Sequence, residues 1–150
     1  MKAKKVAILE TRLGAELSGL VAKRGAIPVH APALSELPDL DPHAIATLIR
    51  GFSANPPGLF IFQTGVGTRA LFAATDALGL TAEFLSFLEK AMVAVRGPKP
   101  TGALRERKVR IDRSAQDPFT TSELLASIAD VDVQGRAVIV QRFGAGNAEL

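Results

Sequence analysis

The chain has 150 residues, which suffices for one domain of ordinary size or for two small units. It contains no Cys, which excludes disulfides and thiolate metal sites, and no apolar run long enough to span a bilayer. The net charge of +3 is far below that of a dedicated nucleic-acid binder, and the two His residues lack metal-site spacing. These features predict a cytoplasmic protein that contacts neither membrane nor nucleic acid.

The first thirty residues have the pattern of a βαβ unit. An apolar run at residues 5–9 predicts a strand, and apolar residues at helical spacing from Leu13 to Val21 predict a helix that ends at Gly25. Residues 26–30 predict a second strand. Because a helix connects them, the two strands are expected to be parallel.

A connector and a longer alternation of strands and helices follow. Three prolines within residues 31–42 are typical of an extended connector. The predicted strands after it are 58–62, 91–95, 109–111 and 136–140. The predicted helices are one from Asp41, 66–78, 81–89, one that ends at about Arg107, 120–128, and one that begins at Phe143. Pro42 lies in the first turn of the first of these helices, Thr81 is predicted to cap helix 81–89, and Thr120 and Glu123 form a capping box. This order predicts an α/β fold with a parallel sheet, helices on both faces, and strands 58–62, 92–95 and 137–140 at its centre.

Three predicted strands end in loops of one kind. The loops are QTGVGT at residues 63–68, RGPKPT at 96–101 and QRFGAGN at 141–147. The carboxyl ends of parallel strands lie at one edge of a sheet, and the helix N-termini that follow offer backbone N–H groups and partial positive charge. Hydroxyl donors come from Thr64, Thr68 and Thr101, and positive charge comes from Arg96, Lys99 and Arg142. The pattern favours an anionic ligand, carboxylate or phosphate; the alternative is that these Gly and Thr residues only turn the chain and cap the helices.

Six segments, in order, resemble the uroporphyrinogen-III synthase family. They are VAILETR at 6–12, GAIPVHAP at 25–32, FIFQTGV at 60–66, VRGPKPTGAL at 95–104, TSELL at 121–125 and VIVQRFG at 138–144. The segments TGVGTRAL and RGPKPT are most similar to the corresponding segments of members that are fused to a C-terminal DNA-binding regulator domain.

The resemblance implies a particular domain organisation. Family members have two α/β domains, and the chain begins in domain one, builds domain two and returns to complete domain one. This chain then supplies the first βαβ unit of domain one at 1–31, a Pro-rich connector at 32–40, and most of a flavodoxin-like domain two at 41–150. Family members have about a hundred more residues, so we expect a truncated architecture that is inactive by itself.

The resemblance also implies an activity. Family members cyclise the linear tetrapyrrole hydroxymethylbilane with loss of water, invert ring D, and need no metal or organic cofactor. The implied substrate-binding residues are Thr11, Arg12, Thr64, Gly65, Val66, Arg96, Gly97, Lys99, Thr101 and Arg142. The catalytic residues stay unassigned, because the family's usual Tyr would lie beyond Leu150 and this sequence has no Tyr.

Two other functions remain open at this point. One is a non-catalytic module that senses a tetrapyrrole or another anion for a regulator, and the other is a flavodoxin-type nucleotide-binding domain. Without the rest of domain one, the first βαβ unit lacks neighbouring strands and has an uncovered apolar helix face. Such open edges predict a homo-oligomer formed through this unit.

Overall fold

The computed structural model describes residues 3–11, 13–32 and 40–142. The chain divides into two compact units, Met1–Asp39 and Leu40–Leu150. Within the described ranges, no helix combines the length and the apolar character that crossing a membrane requires.

The first unit is the βαβ arrangement that the sequence predicts. Its elements are β1 (Lys5–Ile8), α1 (Gly14–Lys23) and β2 (Ile27–His30). The two strands are parallel, with Lys5 opposite Ile27 and Ile8 opposite His30. Gly25 follows the helix with φ of +75°, a left-handed conformation that glycine adopts without a steric penalty. The predicted helix end is therefore confirmed.

The second unit is built on one parallel sheet. Its elements are α2 (Pro42–Gly51), β3 (Pro57–Phe62), α3 (Gly65–Ala77), α4 (Thr81–Lys90), β4 (Met92–Val95), α5 (Pro98–Arg105), β5 (Arg113–Ser114), α6 (Thr121–Ser127) and β6 (Ala137–Gln141). The strand order is β5-β4-β3-β6, and each neighbouring pair is parallel. The α/β class with parallel strands is confirmed.

Helices cover both faces of this sheet, as predicted. Phe60 and Phe62 of β3 belong to a core cluster that includes residues of α2, α3 and α4, and the ring of Phe60 meets that of Phe84 edge-to-face at 5.8 Å. On the other face, Leu59 of β3 packs in a cluster with Leu124 of α6. Apolar residues on both faces of one strand are what a doubly covered sheet requires.

The predicted central position of strand 137–140 is wrong. In the described residues β6 pairs with β3 alone, so it lies at one end of the strand order. Its residues are partly buried or exposed, whereas four of the six residues of β3 are fully buried apolar side chains. An apolar run of this length does not distinguish a central strand from an edge strand.

The strand predicted at 109–111 is also wrong, because the pairing with β4 begins later. Arg110 is held by hydrogen bonds from its guanidinium to the carbonyl oxygens of Glu89 and Ala91. Asp112 then accepts a hydrogen bond from Val93 N–H through its side chain at 2.8 Å and donates its own N–H to Val93 O at 2.9 Å. Side-chain bonds of Arg110 and Asp112 accompany this backbone bond, and β5 starts at the next residue.

The helix ends separate correct from incorrect cap predictions. Asp41 caps α2 by accepting the N–H of His43, and the capping box at Thr120 is present. Leu80, not Thr81, is the N-cap of α4, because the hydroxyl of Thr81 donates to Asp76 at 2.6 Å. The helix predicted from Phe143 lies outside the described residues.

Candidate functional site

The predicted anion-binding loops follow three adjacent strands. Strands β3, β4 and β6 are parallel and β3 lies between the other two, so their carboxyl ends lie at one edge of the sheet. The loop after β4 begins beside β3, because Arg96 N–H donates to Phe62 O at 3.0 Å. The structure therefore brings the loops of Thr64, Arg96 and Gln141 together.

The loop after β3 packs directly on the first turn of α5. A Cβ at Gly65 would lie 2.7 Å from the carbonyl oxygen of Lys99. Only a residue without a side chain permits two helix starts to approach this closely. Gly65 thus has a packing role at this edge, whether or not a ligand binds beside it.

The first turn of α3 leaves backbone donors available. Thr64 is the N-cap, and its hydroxyl oxygen accepts the N–H of Gly67 at 3.1 Å. The N–H groups of Gly65 and Val66 have no partner within the described residues, and Val66 is 42% exposed. Unpaired N–H groups at a helix start carry partial positive charge, which suits an anion.

The first turn of α5 offers fewer free backbone N–H groups than the first turn of α3. Two of its first three residues, Pro98 and Pro100, have no N–H to donate. The expectation that each helix start presents a set of free backbone donors is therefore wrong for α5. Lys99 supplies the one N–H within that Pro-Lys-Pro segment, so this side of the edge must rely on side-chain charge.

The threonine hydroxyls are used within the protein. Thr68 Oγ1 donates to Thr64 O at 2.7 Å and is fully buried, and Thr101 Oγ1 donates to Gly97 O at 2.8 Å. The hydroxyl of Thr64 lies 3.5 Å from the side-chain oxygen of Gln141. These groups stabilise the loops first, as the alternative interpretation of the threonines expects.

Three cations at this edge are not engaged in ion pairs. Within residues 3–11, 13–32 and 40–142, the side chains of Arg96, Lys99 and Arg142 have no charged partner. Arg96 is half-buried, and the other two are exposed. The segments QTGVGT and RGPKPT contain no acidic residue. These three cations are therefore available to pair with an external anion, as far as the described residues show.

The remaining predicted site residues have different settings. Gly97 is buried and extended, and a Cβ there would lie 3.1 Å from the ring of Phe119. Thr11 is an exposed residue of the first unit, and Arg12 lies outside the described residues. Their binding to a substrate, like that of the loop residues, stays a prediction.

Two further residues at this edge are not in the predicted set. Gln141, the last residue of β6, accepts the N–H of Thr64 at 3.0 Å through its side chain. Phe119 places its ring against Gly97 with φ of +58° and an exposed fraction of 36%. The sequence signal for Gln141 is a polar residue at the carboxyl end of an apolar strand; nothing in the sequence pattern indicates the contact of Phe119.

Ion pairs join α3 to the segment after α5. Arg69 donates two hydrogen bonds to Glu106, at 2.8 and 3.2 Å, and these hold the pKa of the Glu106 carboxyl below its ordinary value. Arg107 donates two to Asp76, which lowers the pKa of that carboxyl, and Thr81 contributes a smaller effect. The guanidinium of Arg107 also lies 5.1 Å from the centre of the Phe72 ring.

A cleft of about 370 Å³ lies at the opposite edge of the sheet, where the strands begin. Its lining includes Gly58, Met92 and Arg136, together with the ion pairs Arg110–Asp112 and Arg113–Asp130. Positive and negative side chains alternate around it. The cleft therefore carries paired charges of both signs, unlike the three cations at the loop edge.

Comparison with known proteins identifies the family of this chain. Residues 15–148 match the family described as uroporphyrinogen-III synthase HemD. The chain belongs to this family. As a uroporphyrinogen-III synthase family member, it resembles solved structures of the enzyme from the extremely thermophilic bacterium Thermus thermophilus: a mutant selenomethionine derivative at a TM-score of 0.59 and the wild type at 0.55, both with 28% identity.

The relatives are about twice as long as this chain. The Thermus thermophilus structures match 97% of the chain, which covers 54% of theirs. A protein of Bacillus subtilis (strain 168), described as uncharacterized protein YjjA, is 33% identical over 141 residues, which are 94% of this chain and 52% of that protein. Membership of the uroporphyrinogen-III synthase family thus rests on nearly the whole chain and on about half of each relative.

Proposed function

We propose that this chain is part of a uroporphyrinogen-III synthase, which converts hydroxymethylbilane to the cyclic type-III product with loss of water. The observation that carries this proposal is the family match over residues 15–148. The loop edge of the second unit supports it, since the substrate carries eight carboxylates and this edge presents Arg96, Lys99 and Arg142 without charged partners in the described residues.

The chemistry suits a site of this composition. Loss of the hydroxyl is assisted by the electrons of the pyrrole nitrogen, so the protein mainly holds a folded conformer and directs which carbon of ring D is attacked. Backbone N–H groups of Gly65 and Val66 and the nearby cations would bind carboxylates and fix that conformer. Positioning and electrostatic stabilisation then supply the rate enhancement, without a covalent intermediate on the protein.

Turnover tests the enzymatic part of the proposal. Hydroxymethylbilane is supplied to the chain, and to a chimera in which the chain replaces the matched 54% of the Thermus thermophilus synthase. The products are separated by chromatography as type-I and type-III isomers. We expect type-III product from the chimera and none above background from the chain alone. A folded chimera that makes no type-III product contradicts the proposal.

Binding separates the enzyme from the sensor and nucleotide alternatives. Uroporphyrin III, FMN, NAD and nucleotides are compared by thermal shift and by fluorescence titration of the porphyrin. We expect uroporphyrin III alone to stabilise the chain. Porphyrin binding combined with an inactive chimera would favour a tetrapyrrole sensor, and stabilisation by FMN or a nucleotide would favour a nucleotide-binding domain.

A further inference from the structure

Gln141 joins the loop after β3 to the end of β6. Its side-chain oxygen accepts the N–H of Thr64 at 3.0 Å and the N–H of Gln63 at 3.3 Å. Its side-chain nitrogen donates to the carbonyl oxygen of Arg142 at 2.7 Å. Since the backbone partners are donors on one side and an acceptor on the other, only one orientation of the amide satisfies all three bonds.

The same side chain fills the space beside the first turn of α3. A Cβ at Gly67 would lie 2.7 Å from Cδ of Gln141 and 2.9 Å from the hydroxyl oxygen of Thr64. Gly67 is the third residue of α3, so the amide of Gln141 rests against the helix start itself. The loop from Thr64 to Gly67 is thus held on one side by Gln141.

The charge of this side chain matters as much as its shape. A carboxylate in the same position would accept the N–H of Thr64 more strongly and would complement the helix dipole. It would also cancel positive potential at an edge where Arg96, Lys99 and Arg142 have no charged partners in the described ranges. The neutral amide makes the hydrogen bonds and leaves that potential for an external anion.

We propose that Gln141 is a positioning residue of the substrate site, which orders the Thr64–Gly67 turn while keeping the edge positive for a substrate carboxylate. This inference rests on the proposed function. The inference goes beyond the proposed function because it gives a role to Gln141, which is not in the predicted set of site residues. This one side chain sets both the geometry of the Thr64–Gly67 turn and the absence of negative charge there.

Three variants test this inference by fluorescence titration with uroporphyrin III and by thermal unfolding. Gln141→Glu places a negative charge at the turn and also loses the donor to Arg142 O, so we expect binding to weaken about tenfold and Tm to fall by less than it does in Gln141→Met. Gln141→Met removes the hydrogen bonds, and we expect both Tm and affinity to fall. Gln134→Glu makes the same charge change in an exposed turn before β6, at the opposite edge, and we expect it to change neither.

The outcomes separate this inference from the proposed function. If the wild type does not bind uroporphyrin III while the chimera makes type-III product, this inference is overturned and the proposed function stands. If the chimera is inactive as well, both are overturned. If the wild type binds and Gln141→Glu binds equally well, this inference alone is overturned. A loss of affinity in Gln134→Glu equal to that in Gln141→Glu would also overturn it. The loss would then come from the overall charge of the chain and not from the position of the added charge.

Discussion

The carbonyl oxygen of Lys99 lies 2.7 Å from the point that a Cβ at Gly65 would occupy. Because this neighbour is backbone, it cannot rotate away, and a side chain at Gly65 must push α3 from α5. We expect Gly65→Ala to lower the free energy of unfolding by about 1–3 kcal/mol, as overpacking does elsewhere. Denaturant unfolding of the variant and the wild type measures this difference.

Gly102 provides the matched control on α5. Apart from its chain neighbours and the backbone of its own helix, no atom of the described residues lies within 4 Å of a Cβ built there. Since alanine favours a helix interior over glycine by about 1 kcal/mol, Gly102→Ala should raise the free energy of unfolding. Equal and same-signed responses at Gly65 and Gly102 would contradict the packing explanation.

Lys99 and Thr101 should respond differently to alanine, although both belong to the predicted site. Lys99 is exposed and has no charged partner among the described residues, so Lys99→Ala should weaken uroporphyrin III binding and leave Tm nearly unchanged. Thr101→Ala also removes the hydrogen bond to Gly97 O, which should cost about 1 kcal/mol of stability. Wild-type affinity in Lys99→Ala would mean that these loops only cap helices.

Acid should weaken the pairs that join α3 to the residues after α5. The pKa values of Glu106 and Asp76 are lowered in the folded chain, chiefly by hydrogen bonds from Arg69 and Arg107. Their stabilising contribution is therefore fully present above the ordinary pKa values of 4.5 and 3.8, and it is lost as the pH falls through the lower folded values.

Glu106→Gln tests this pH dependence by thermal unfolding between about pH 2 and pH 7. We expect the variant to have a lower Tm than the wild type at neutral pH and the same Tm at the acid end. Both side chains of the pair are more than half exposed, so the effect is expected to be small and to shrink with salt. A difference that grows toward low pH would contradict the assignment.

Asp112 should matter more for stability than the other acidic residues of the cleft at the edge where the strands begin. Its carboxylate accepts the N–H of Val93 and pairs with Arg110, and its side chain is 24% exposed. Asp112→Ala leaves that strand donor without its partner, so we expect a loss of about 1–3 kcal/mol in denaturant unfolding. Asp130 is 73% exposed, and Asp130→Ala should cost less than about 1 kcal/mol.

The first unit should promote self-association. Leu9, Leu13 and Leu20 are more than half exposed, and in the described residues β1 and β2 pair only with each other. We expect a dimer by light scattering at micromolar concentration, and Leu20→Lys should shift it toward monomer. A monomer that persists as concentration rises would rule out this assembly.

Periodicity and glycine placement were enough to predict most elements of the sheet. Strands 58–62 and 92–95 are strongly apolar, and they form the buried β3 and β4. The strand predicted at 109–111 is wrong because side-chain bonds of Arg110 and Asp112, which have no sequence period, hold this segment before the β5 pairing begins at Arg113. The prediction that strand 137–140 lies at the centre of the sheet is wrong, because strand order is decided by packing between elements far apart in sequence.

The candidate site, like the fold, could be predicted only in part from the sequence. The loops were found from their position after apolar strands, and their cations follow directly from the sequence. The bond of Gln141 to Thr64 spans 77 residues and depends on tertiary geometry, so no local pattern encodes it. The hydroxyls of Thr68 and Thr101 instead donate to the carbonyl oxygen four residues earlier, which is a local helix pattern that competes with ligand binding.

The position of β3 between β4 and β6 has a consequence for biosynthesis. Strand β4 leaves the ribosome soon after β3, but Gln141 is added 77 residues after Thr64, which takes roughly 4–15 seconds at ordinary translation rates. During that interval one side of the most apolar strand of the unit has no hydrogen-bonding neighbour, and the edge with the three cations is incomplete. We expect the nascent chain to depend on chaperones in this window, and the loop edge to be the last part of the second unit to form.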